Sequence, residues 1–119
     1  MDTVFISQLR ANTVIGVYNW ERQVRQTVVL DIEMASDNRS AAATDAIDEA
    51  LDYAAVSARV LTFLEQSRFK LIETMAEQVA EIILDEFGVG WLRLRLAKPG
   101  AVMAAQEVGV QIERGELPP

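Results

Sequence analysis

From Thr27 to Ala35 the chain alternates, with Val28, Leu30, Ile32 and Met34 on one set of positions and Thr27, Val29, Asp31 and Glu33 on the other. A period of two marks a strand with one buried face. An earlier strand is expected from Thr3 to Val17, interrupted or bulged near Arg10–Asn12. The polar segment Tyr18–Gln26, which contains Asn19, joins the two as a hairpin. Two helices follow. Val56, Val60, Phe63 and Leu64 form one apolar stripe at i, i+4, i+7 and i+8; Ile72, Met75, Ala76, Val79 and Ile83 form another, and Gly88 suits the residue just past a helix end. Leu92, Leu94 and Leu96 then alternate with Arg93, Arg95 and Ala97 in a third strand. A fourth, from about Glu107 to Ile112, aligns Val108, Val110 and Ile112. The expected architecture is α+β, in the order ββααββ: a four-stranded antiparallel sheet with two helices on one face. No repeat or linker interrupts it apart from an Ala-rich, acidic stretch at Ser36–Ala50, so residues 1–119 are expected to form one domain. Such a sheet has exposed edges, and Pro occurs only at 99, 118 and 119, so no strong edge-protecting device is present. Edge-to-edge assembly of copies into a ring is the expected remedy.

Composition narrows the chemistry. Half of the 119 residues are hydrophobic, enough for one core, and no stretch approaches the ~20 apolar residues of a membrane span. The opening MDTVFISQL has no basic region, long apolar run or small-residue cleavage site, so a soluble cytoplasmic protein is expected. There is no Cys, which removes disulfides, thiolate nucleophiles and Cys-based metal sites. There is no His, which removes the usual near-neutral acid/base and the commonest zinc ligand. Catalysis must come from Asp, Glu, Lys, Tyr, Ser, Thr or water. A carboxylate-only magnesium site stays open, although no acidic cluster has ligand-like spacing. With a net charge of −7 and no basic run, nucleic acid is not an expected partner.

Four positions could carry chemistry. Counting by twos from Leu92 puts Lys98 on the leucine face, where it must snorkel out, find a carboxylate or titrate at a lowered pKa. Pro99 holds it to extended backbone. The plain reading is a strand-end lysine that reaches solvent. Glu73 stands in the first turn of the second helix, where backbone N–H groups favour an anion, and begins an i, i+4, i+8 row with Glu77 and Glu81 that reads most simply as a solvated face. Tyr53 follows Asp52 at the start of the first helix, and Glu21 follows Trp20 in the hairpin connection. Core or surface roles suffice for each alone. No glycine-rich phosphate loop, nucleophile elbow or zinc motif is present.

Together, and in this order, these positions resemble the dihydroneopterin aldolase family. The matching segments are IGVYNWER (15–22), LDYAAV (51–56), RFKLIETMAEQVA (68–80), KPGAV (98–102) and EVGVQIERG (107–115), spread over essentially the whole chain. The resemblance implies the tunnelling fold, with homo-oligomeric rings (a tetramer, or two stacked as an octamer) and active sites between neighbouring subunits. It also implies a pterin substrate, no metal, no cofactor, and no membrane or nucleic-acid partner.

The roles implied follow residue by residue. Glu73, with Ile72 beside it, would bind the pterin ring. Glu21 would bind the hydroxylated tail or position water. Lys98 would move protons by way of water, and serves best near neutral pH if its pKa is lowered. Tyr53, supplied by the neighbouring subunit, would orient the tail and help protonate the carbon left by cleavage. The reaction implied is retro-aldol cleavage of 7,8-dihydroneopterin without a Schiff base, possible together with epimerisation at C2′. The competing readings are a dihydroneopterin (triphosphate) 2′-epimerase and a non-catalytic oligomeric pterin-binding module. Arg22 and Arg25 are nearby but make no convincing triphosphate cluster. One departure stands out: family members often carry a second proline soon after Lys-Pro, whereas Val102 and Met103 follow Gly100–Ala101 here.

Overall fold

In a computed structural model that describes residues 1–117, the period-two runs become the long strands. The strands are β1 (Thr3–Ile15), β2 (Gln26–Ala35), β3 (Arg68–Phe69), β4 (Trp91–Pro99) and β5 (Glu107–Gly115); the helices are α1 (Arg39–Thr44), α2 (Tyr53–Gln66) and α3 (Ile72–Glu86). Short 3-10 turns occupy Trp20–Gln23 and Ile47–Glu49. The sheet order is β3-β1-β2-β4-β5, antiparallel throughout except where β3 runs parallel to β1.

Two parts of this differ from the four-stranded ββααββ expectation. The sheet has a fifth strand and is mixed, because Arg68–Phe69 pairs with Val14–Ile15. A two-residue strand is too short to show any period. The third helix, α1, lies in the Ala-rich stretch and buries no residue, so it leaves no apolar stripe to read; alanine propensity alone favours it.

The irregularity in β1 is also displaced. The register shifts between Ile6 and Leu9, where Ser7 and Gln8 together face Asp31, and not at Arg10–Asn12. The apolar positions record the shift: Val4 and Ile6 are even, whereas Leu9, Ala11 and Ile15 are odd. Gln8 takes a left-handed backbone (φ 58°), which costs a non-glycine residue about 1–2 kcal/mol. The Asp31 carboxylate offsets that cost by accepting from the Gln8 backbone N–H at 2.9 Å and from its side-chain amide at 3.1 Å.

Helices α2 and α3 cover one face of the sheet. Val56, Val60 and Leu64 of α2 and Met75, Ala76, Val79, Ala80 and Ile83 of α3 pack with Ile15, Leu30, Ile32, Leu94 and Leu96 in one buried cluster. Each such Leu, Ile or Val contributes roughly 1.5–3 kcal/mol. On the opposite face Arg93 pairs with Glu33 and Glu113, and Arg95 with Glu107, all partly exposed. Pairs of that kind contribute about 0–1 kcal/mol each. The outer edge of β5 is unpaired among the described residues, as is that of β1 before Val14. The chain is elongated, 51 × 25 × 21 Å.

Candidate active site

The parity of β4 carries Lys98 inward, as the leucine count predicts, and its ammonium ends on a carboxylate. It meets Glu21 Oε2 at 2.5 Å, with the two side chains only 13% and 5% exposed. Glu21 stands in the 3-10 turn after β1, and its carboxylate is held from three sides. Oε2 accepts from Lys98 Nζ and, at 3.1 Å, from Gln26 Nε2; Oε1 accepts from the Tyr18 backbone N–H at 3.2 Å. Burial pushes this carboxyl up, but the bonds from Lys98, Gln26 and Tyr18 outweigh it and hold the group below the ordinary glutamate range. Glu21 is therefore an ionised acceptor beside a cation. Such a pair can pass protons to a bound ligand.

The backbone makes room for it. Gly16 has φ +130°, and a Cβ there would lie 2.1 Å from Glu21 Cδ, so only glycine leaves space for the carboxylate. Arg22 fastens the turn, donating to the carbonyls of Gly16 at 3.0 Å, Phe69 at 2.9 Å and Arg68 at 2.5 Å. The Gly16 N–H in turn donates to the Phe69 carbonyl. The short parallel strand β3 thus draws the start of α3 alongside the Glu21 turn.

That juxtaposition closes a cleft of about 330 Å³ whose lining includes Glu21, Lys98, Ile72 and Glu73. Glu73 is exposed on the cleft wall in the first turn of α3, and Ile72 beside it is half-buried. Tyr18, Trp20 and Leu71 also line the cleft and remain largely exposed. A mostly apolar cleft with a few polar side chains, rimmed by large apolar groups, suits a flat ligand or a second protein surface. The cleft thus brings together two carboxylates in different states, Glu73 exposed and Glu21 paired with Lys98.

Tyr53 is not brought to this cleft within one chain. It opens α2 behind the Asp52 cap, which accepts from the Ala55 N–H at 3.0 Å, and Tyr53 is 61% exposed. Further along the glutamate row, Glu77 pairs with Arg114 of β5 and Glu81 is exposed. Gly100 and Ala101, in the loop after Pro99, line the cleft, while Val102 and Met103 point outward. Sequence reasoning missed Gln26, Gly16 and Lys70. Gln26 is the last polar residue before the alternation begins at Thr27, and nothing in its type or spacing marks it; Lys70, like Glu73, lines the cleft.

The model of the family described as "FolB: Dihydroneopterin aldolase" matches residues 4–113. The chain is 51% identical to the dihydroneopterin aldolase of Escherichia coli K12, over 97% of this chain and 94% of that one. It is 44% identical to the Haemophilus influenzae dihydroneopterin aldolase, over 98% and 99%. The atomic-resolution crystal structure of the E. coli aldolase in complex with neopterin superposes with a TM-score of 0.95, covering 97% of this chain and 100% of that chain at 51% identity.

Proposed function

The chain belongs to the dihydroneopterin aldolase family, and from that premise we propose how its cleft works on 7,8-dihydroneopterin in folate biosynthesis. The reaction is retro-aldol cleavage to 6-hydroxymethyl-7,8-dihydropterin and glycolaldehyde. The observation that carries the residue assignments is the meeting of Glu21, Lys98, Ile72 and Glu73 in one cleft.

Glu73 binds the pterin edge, its two oxygens accepting from the ring N3–H and the 2-amino group. Ile72 flanks the ring. The side chain then extends toward Glu21 and Lys98. The 2′-hydroxyl gives up its proton, by way of water, to that pair. Its O–H electrons form the C=O of glycolaldehyde as the C1′–C2′ bond breaks. The released pair moves through C6 to N5, which takes a proton managed by Lys98. The resulting enamine is protonated at C1′ while N5 gives its proton back to the Glu21–Lys98 pair by way of water, which restores C6=N5 in the hydroxymethyl product. The ring's own C=N group is the electron sink, so Lys98 needs no Schiff base, and its amine is engaged with Glu21.

Tyr53 enters this scheme from a neighbouring copy. The open edges of β1 and β5, the elongated chain and the exposed Tyr18, Trp20 and Leu71 around the cleft support a ring of copies, as a tetramer or octamer. Sizing by light scattering reads this directly; a stable monomer that retains full activity removes Tyr53 from the scheme.

Arg22 and Arg25 disfavour the triphosphate epimerase alternative. Arg22 is spent on three carbonyls, and Arg25 donates to the carbonyls of Asn12 and Glu65. Arg22 is thereby committed, and Arg25 alone does not make a polyphosphate cluster. Incubation of the purified protein with 7,8-dihydroneopterin tests the whole reading. Glycolaldehyde and 6-hydroxymethyl-7,8-dihydropterin are the expected products, and recovery of the C2′ epimer alone would overturn the aldolase assignment.

A further inference from the structure

We propose that Gln26 is a positioning residue for this cleavage, its side-chain amide holding Glu21 Oε2 where Lys98 meets it. Gln26 Nε2 donates to the Ile15 carbonyl at 2.7 Å and to Glu21 Oε2 at 3.1 Å. Both partners are acceptors, so only the amide nitrogen can face them and the orientation of the group is determined. The amide bridges the first residue of β2 to the last residue of β1, so the seat of Glu21 is fastened to the sheet and not only to its own turn.

Charge explains why an amide suits this place. An arginine or lysine at 26 would compete with Lys98 for Oε2, and a carboxylate would repel it. Glutamine supplies a donor without a second charge. A carboxylate offers about four acceptor positions. Lys98 and Gln26 occupy both on Oε2, and Tyr18 takes one on Oε1. One position on Oε1 is left for water or a substrate hydroxyl. With Gly16 beneath it, the carboxylate can neither rotate nor retreat without losing a partner.

The consequence is legible in a pH profile. The charged groups around Glu21 are Lys98 from β4, with Lys70 and Glu73 from the start of α3 lining the same cleft. A Gln26 variant leaves all of these in place. Loss of the amide donor removes one of the bonds that keep the Glu21 carboxyl low, so Glu21 must lose its proton at a higher pH before it can act. A merely structural role would lower stability and leave that limb where it is.

This inference rests on the proposed aldolase reading. The test compares wild type, Gln26→Met, which keeps the volume but not the donor, and Gln26→Glu, which keeps the shape but adds a charge. Glycolaldehyde release is followed from acid to alkaline pH, and neopterin binding is titrated by fluorescence. A wild type that releases no glycolaldehyde overturns the parent reading; the variants judge Gln26. Expected are wild-type-like neopterin affinity, kcat lowered about tenfold in Gln26→Met with its acidic limb shifted upward, and a larger loss in Gln26→Glu that eases toward acid pH. An unchanged kcat and acidic limb in either variant that binds neopterin would overturn the proposal. So would loss of neopterin binding in both, which would assign Gln26 to holding the cleft together.

Discussion

Two carboxylates of the cleft are built on opposite plans. Glu21 is 4% exposed and already bound to a lysine, an amide and a backbone N–H. Glu73 is exposed in the first turn of a helix. The buried carboxylate has its geometry set before any ligand arrives, which favours moving a proton along a defined path. The exposed one keeps its acceptors for the ligand, which favours affinity. On the proposed reading, two glutamates in one cleft divide the work, and the division follows from what each already binds.

Substitutions should separate the two. Lys98→Ala strips Glu21 of its amine partner and is expected to cut single-turnover cleavage by about 10²–10⁴-fold, while neopterin affinity changes little. A matching loss of affinity would break the division. Glu73→Ala would remove the two charge-assisted hydrogen bonds proposed for the pterin edge, each contributing about 1.5–3 kcal/mol, and should weaken neopterin binding by roughly 10²-fold or more, read by fluorescence titration. A kcat effect larger than the affinity effect would reverse the assignment. Gly16→Ala pushes a methyl group into the seat of Glu21; misplacement by about 1 Å can cost 10²-fold in rate, so kcat should fall by up to that factor with neopterin affinity retained.

A smaller effect concerns pH and stability. The Glu21 carboxyl titrates below its unfolded value, so the pair's contribution to stability is fully present above that unfolded value. It fades as pH falls through the lower, folded value. Urea midpoints of wild type and Glu21→Gln should therefore converge in acid and stand furthest apart near neutrality; a constant gap would mean that the charge is not what stabilises. Smallest of all, Arg95→Ala on the outer sheet face breaks a half-exposed pair with Glu107. It should alter stability by less than about 1 kcal/mol, measured by the same midpoints.

What the sequence discloses depends on how each residue is specified. Leu92, Leu94 and Leu96 alternate because one face of β4 is buried, and extending that count finds the inward direction of Lys98. Where that amine would end could not be counted, because Glu21 lies 77 residues earlier and meets it only through the fold. Strand β3 has two residues and follows the neighbour it pairs with, so no local pattern announces it. The bulge is legible as a change of parity between Ile6 and Leu9, upstream of the expected position at Arg10–Asn12. Gln26 acts through a single amide on a carboxylate brought to it by the turn, and its residue type has no spacing rule.

The irregularity in β1 also determines where that segment tolerates a change of length. Its first stretch presents even-numbered side chains to the helices and its second presents odd-numbered ones, joined where Ser7 and Gln8 share a single partner. Loss of one residue at that seam would leave both halves facing as they do now. Loss of one between Leu9 and Ile15 would turn the remainder inside out, carrying Gly16 and the bend beyond it away from the amine they serve.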